Sequence, residues 1–118
     1  VPNDIKTMIE HVEEKWHKLD ILVQNAFSVI GGESRIHGSA EDVSEEDWDW
    51  GMSVLSKAIY LGAKYAVPLI RRTGGGVIIN IASDLAINAP DHAVYHKTDN
   101  IKNVKHFKPI GYSISKFG

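Results

Sequence analysis

Asp20-Ile21-Leu22-Val23-Gln24-Asn25 and Val77-Ile78-Ile79-Asn80-Ile81-Ala82-Ser83 decide the fold class. Each is a short aliphatic run that closes on polar residues, the pattern of a buried parallel strand whose last residues reach the edge of a sheet. Around them the apolar spacing changes to three and four. Ile5, Met8, Ile9, Val12, Trp16 and Leu19 stack on one face of a helix expected over 4–18, capped by Asn3 or Asp4. Trp48, Met52, Leu55, Ile59, Ala63, Ala66 and Ile70 predict a second, long helix over 44–72. Ser44 and Asp47 resemble a capping box at its start, with Asp in place of the usual Glu or Gln. Pro68 is expected to bend its last turn, and Gly74-Gly75-Gly76 to end it. A third helix is expected from Gly111 onward. Residues 26–42 lack any period and hold three glycines, so they read as a loop, and 84–110 is broken by prolines and asparagines. Helix, strand, helix, strand, helix predicts βαβ units: an α/β fold whose parallel sheet carries helices on both faces.

Composition narrows the function classes. The 118 residues are 43% hydrophobic and 24% charged, the balance of one compact domain. Thirteen Lys and Arg against fifteen Asp and Glu leave a net charge of −2, so no global field favours nucleic acid or an anionic membrane. No apolar run approaches the roughly 18 residues of a membrane span. Zero Cys excludes a thiol nucleophile, a disulfide framework and Cys-ligated zinc. His92 and His96 have the spacing of a zinc pair but no third ligand, so no metal is expected. Without a sequon or a signal-like stretch, the cytoplasm is the expected compartment. The sequence begins at Val1 and stops at Gly118 inside an apolar-patterned helix, as expected of an internal piece of a longer protein.

Open α/β sheets bind ligands beyond the carboxyl ends of their strands. Gln24 and Asn25 reach that edge from one strand, Asn80 and Ser83 from the other. Tyr112 and Lys116, four residues apart, share one helix face. An ammonium beside a phenol favours the phenolate, and such a tyrosine can exchange a proton with an alcohol or carbonyl oxygen. A serine hydroxyl can hold that oxygen by a hydrogen bond. Ser83, Tyr112 and Lys116 are therefore candidates for an acid/base site interconverting an alcohol and a ketone, a reaction that also needs a hydride carrier.

These motifs resemble the short-chain dehydrogenase/reductase family. Leu19-Asp20-Ile21-Leu22-Val23-Gln24-Asn25-Ala26 is similar to its Leu-Asp-Ile-Leu-Val-Asn-Asn-Ala-Gly strand. Gly75 to Ser83 is similar to its catalytic-serine strand, and Gly111-Tyr112-Ser113-Ile114-Ser115-Lys116 to its Tyr-x-x-x-Lys helix. The resemblance implies an incomplete, Rossmann-like doubly wound sheet over 1–118, a partial NAD(P)-binding domain without the N-terminal glycine-rich turn or the C-terminal substrate loop. It implies Tyr112 as general acid/base. Lys116 would tune that tyrosine and hold the ribose hydroxyls of NAD or NADP. Ser83 would orient the substrate oxygen, and Asn25 and Ala26 would line the cofactor cleft. It further implies a small alcohol or carbonyl substrate, a full-length homodimer or homotetramer, and no activity in the 118-residue piece alone.

Departures from the family pattern carry equal weight. Gln24 replaces the first Asn of the Asn-Asn-Ala-Gly motif, and Phe27 replaces its Gly. Seven positions after Trp48, where many members carry a fourth catalytic residue, an Asn, stands Leu55, which cannot hold the water of a proton relay. Ser83 and Tyr112 lie 29 positions apart, more than in most members, the extra length being a basic stretch over 91–108. That stretch reads as a solvated loop or as a contact for an anionic substrate. Two rival functions follow: a nucleotide-sugar epimerase or dehydratase of the same superfamily, and a family-derived binding protein that has lost turnover.

Overall fold

The computed structural model describes residues 2–26, 40–91, 93–94 and 110–117. Of the expected loop over 26–42, residues 27–39, Phe27 among them, lie outside the described residues, as do His92, His96 and the basic residues over 97–108. The chain divides into two compact units, one of Val1–Ala26 with Ser56–Ile81, the other of Phe27–Leu55 with Ala82–Gly118.

In the first unit, helix α1 (Pro2–Trp16) precedes strand β1 (Ile21–Gln24), and helix α3 (Ala58–Arg72) precedes strand β2 (Val77–Asn80). Pro2 opens α1, where a missing N–H costs no helical hydrogen bond, so the helix starts ahead of the expected caps. It ends earlier than expected because His17 turns to φ +58°, the left-handed conformation that closes many helices. β1 and β2 pair in parallel, with Ile21 opposite Val77 and Gln24 opposite Asn80. Ile9, Ala66, Leu69 and Ile70 form the core between α1 and α3, and Leu22 and Ile78 pack against it from the sheet. The Glu13 carboxylate and the Arg72 guanidinium join the two helices at the surface, worth at most about 1 kcal/mol when exposed.

Two sequence expectations change here. Met8 and Trp16 share the apolar stripe of α1 yet are 49% and 56% exposed, whereas Ile9 is buried. The strands are apolar on both faces, but among the described residues of this unit helices cover only the Leu22–Ile78 face. Ile21, Val23, Val77 and Ile79 stand exposed on the opposite one.

The end of α3 follows from its glycines. Gly75 N–H donates to the Ile70 carbonyl at 2.9 Å and Gly74 N–H to Arg71 at 3.4 Å, the paired bonds of a Schellman cap, with Gly74 at φ +102°. Gly76 then lets the chain run close beside β1, since a methyl there would collide with the Asp20 carbonyl oxygen and sit 3.1 Å from Ile70 Cγ2.

In the second unit, helix α2 (Glu45–Met52) is capped by Ser44, whose hydroxyl accepts the Asp47 N–H at 3.1 Å and donates to the Asp47 carboxylate at 2.9 Å. The expected single helix over 44–72 is thus two α-helices joined by a π-helical turn, Ser53–Lys57. A 3₁₀ turn (Asp84–Ala86) and helix α4 (Ile110–Phe117) complete the unit, and α4 packs against both α2 and the 3₁₀ turn.

In chemical denaturation of the full-length protein, Gly76→Ala is expected to destabilise by roughly 1–3 kcal/mol through overpacking. Gly51→Ala, in an open stretch of α2, is expected to stabilise by roughly 0.5–1 kcal/mol. His17→Gly, which removes a left-handed non-glycine residue, is expected to gain about 1 kcal/mol in the same measurement.

Candidate active site

The parallel register carries polar side chains to the carboxyl ends of both strands. Gln24 and Asn80 are opposite one another, on the face that packs against the helices, and Gln24 Nε2 donates to Asn80 Oδ1 at 3.0 Å. Gly62 of α3 makes room for this bridge, because a methyl at that position would collide with Gln24 Oε1. The Gln that departs from the family motif therefore fills a defined structural place, tying β1 to β2 where both strands end. Asn25 and Ala26 follow directly and are exposed. An exposed amide side chain and the peptide groups beside it at a strand's carboxyl end form a donor and acceptor set that suits a nucleotide. The residues present fit that class of ligand.

Ser83, Tyr112 and Lys116 all belong to the second unit. Ser83 caps the 3₁₀ turn in extended conformation, and its hydroxyl accepts the Leu85 N–H at 3.2 Å. The same hydroxyl donates to Asp84 Oδ1 at 3.1 Å, an acidic neighbour that sequence reasoning passed over although it directly follows the serine. Tyr112 and Lys116 sit one turn apart on α4, both half-buried. Because α4 packs against the 84–86 turn, the tyrosine helix and the serine's turn are neighbours.

Of the three residues between Tyr112 and Lys116, Ser113 and Ser115 are small, and the hydroxyl of each is buried. Ser115 is 1% exposed and donates back to the Tyr112 carbonyl at 3.0 Å. Ser113 Oγ is buried without a hydrogen-bond partner among the described residues. At the N-terminal end of α4, a Cβ on Gly111 would stand 3.8 Å from the Trp48 ring, so Trp48 works as a packing residue of α2. Leu55 is 7% exposed inside the π-helical turn and offers no polar side-chain atom. A side-chain relay through that position is absent. Among the described residues no group of three His, Cys, Asp or Glu could hold a metal ion, and no helix is long and apolar enough to cross a membrane.

A family model described as enoyl-(acyl carrier protein) reductase matches residues 1–99. An uncharacterized oxidoreductase of Thermotoga maritima is 38% identical over 96 residues, covering 80% of this chain and 36% of that protein. An NAD-dependent glycerol dehydrogenase of Listeria innocua is 32% identical over 93 residues, covering 78% of this chain and 34% of that one. Among solved structures, L-sorbose reductase from Gluconobacter frateurii, complexed with NADPH and L-sorbose, superposes with a TM-score of 0.73. It is 24% identical and covers 99% of this chain and 36% of its own, a likeness of fold. The chain thus spans about a third of the length of these relatives. The parallel βαβ arrangement, the family match over most of its length and the oxidoreductase relatives together place the chain in the short-chain dehydrogenase/reductase family, as part of its Rossmann-like domain.

Proposed function

We propose that the protein to which this chain belongs is an NAD- or NADP-dependent oxidoreductase that interconverts a small alcohol and its carbonyl compound. The observation that carries this reading is the packing of the Tyr112–Lys116 helix against the turn capped by Ser83, within one compact unit. When bound, the nicotinamide supplies the hydride acceptor or donor. In the oxidative direction Tyr112 Oη takes the hydroxyl proton as the carbinol hydrogen leaves with its electron pair; in the reductive direction it returns that proton to the carbonyl oxygen. Lys116 sets a positive charge beside the phenol and reaches the ribose hydroxyls. Ser83 Oγ holds the substrate oxygen, and Asn25 and Ala26 line the cofactor cleft. The proposed working form is a homodimer or homotetramer in the cytoplasm.

The relatives suggest where to look for substrates: glycerol and L-sorbose, each tested with both coenzymes. In the full-length protein, Tyr112→Phe is expected to lower turnover by roughly 100- to 10,000-fold while the coenzyme dissociation constant, read by NAD(P)H fluorescence, stays within about twofold. Unchanged turnover rejects the mechanism. The 118-residue piece alone is expected to give no enhancement of NAD(P)H fluorescence, and a saturable enhancement would show that it holds the coenzyme by itself.

A further inference from the structure

A serine hydroxyl has one proton to give and two lone pairs to offer. At Ser83 the proton points to Asp84 Oδ1 at 3.1 Å, and one lone pair takes the Leu85 N–H at 3.2 Å. A carbonyl oxygen only accepts, and so does the oxygen lone pair of an alcohol whose own proton goes to Tyr112. Either substrate oxygen therefore needs the very proton that Asp84 already holds. Asp84 does not depend on it, because its Oδ1 also receives the Leu85 N–H at 2.9 Å. The exchange gives up a single hydrogen bond and leaves the 3₁₀ turn with its remaining contacts.

We propose that Asp84 competes with the substrate oxygen for the single proton of Ser83, and so acts as a positioning residue that weakens substrate binding through that serine. The inference rests on Ser83 meeting the substrate oxygen, the role assigned to it in the proposed function. A carboxylate is the stronger acceptor of the two, since hydrogen bonds to ionised groups exceed those between neutral ones. The substrate gains its bond only by displacing it.

A mutant cycle in the full-length protein decides the matter, with L-sorbose and dihydroxyacetone as carbonyl probes and the better-used of the two carried forward. Asp84→Ala is expected to lower KM and the calorimetric Kd for that probe by about three- to tenfold, with kcat within about twofold. Asp84→Asn, which keeps the shape of the turn but accepts more weakly, is expected to give a smaller fall. In a Ser83→Ala background, which itself raises KM and cuts turnover, removing Asp84 is expected to change neither constant. A KM that rises in Asp84→Ala and Asp84→Asn, or an equal effect with and without Ser83, overturns the competition and leaves Asp84 as a turn-forming residue. Wild-type KM and turnover in Ser83→Ala would instead remove the role of the serine. Failure of the wild-type protein to use either probe would remove the proposed activity toward these compounds and the inference with it.

Discussion

Val77 N–H donates to the Asp20 carbonyl at 2.9 Å, and Ile81 N–H to the Gln24 carbonyl at 3.1 Å. These two bonds bracket the parallel ladder and fix which residue of β2 faces which residue of β1. The register is what everything else in the first unit depends on. A slip of either strand by one residue would turn its inward side chain, Leu22 or Ile78, away from the core and break the Gln24–Asn80 bridge. Gly76 makes the register possible, because any side chain there would push β2 off the Asp20 carbonyl. Gly62 makes the bridge possible in the same way, from the helix side. Two missing side chains thus decide where the polar strand ends emerge.

The second unit uses one piece of hydrogen-bond chemistry twice. Ser44 and Ser83 each accept a backbone N–H and each donate to a nearby Asp carboxylate. At Ser44 the arrangement starts a helix and has no further use. At Ser83 it starts a 3₁₀ turn that α4 packs against, so a local capping habit has a hydroxyl placed beside the tyrosine helix. Serine and aspartate favour such positions because their short side chains compete with the backbone for its own donors. Ser83 thus has a structural reason to be a serine, whatever chemistry its hydroxyl serves.

Much of this was legible in the sequence, and the misses have physical causes. The strands, their order and the polar residues at their ends follow from β-branched runs closing on Gln24-Asn25 and Asn80. The stop at Gly74 follows from glycine's freedom at positive φ. The π-helical turn at Ser53–Lys57 left no trace in the apolar spacing, because Leu55 and Ile59 also fit an uninterrupted helix. Met8 and Trp16 misled for a different reason. Periodicity names a stripe wider than the surface the neighbouring helix covers, and α3 reaches Ile9 but not the stripe's margins. That Ser83, Tyr112 and Lys116 fall in neighbouring elements of one unit follows from the order of elements in the sequence. The hydrogen-bond directions there do not: that the Ser83 proton goes to Asp84 depends on a turn geometry that no spacing rule encodes.

The bare side of the sheet has a practical corollary. Ile21, Val23, Val77 and Ile79, joined by Ile81 at 40% exposure, make an aliphatic tile, and among the described residues no further strand pairs with β1 or β2. Surfaces of that kind adhere to one another and template further strands. A polypeptide cut to this span would therefore be expected to clump during expression, and shielding the tile with detergent or a fused partner would be the first step in handling it.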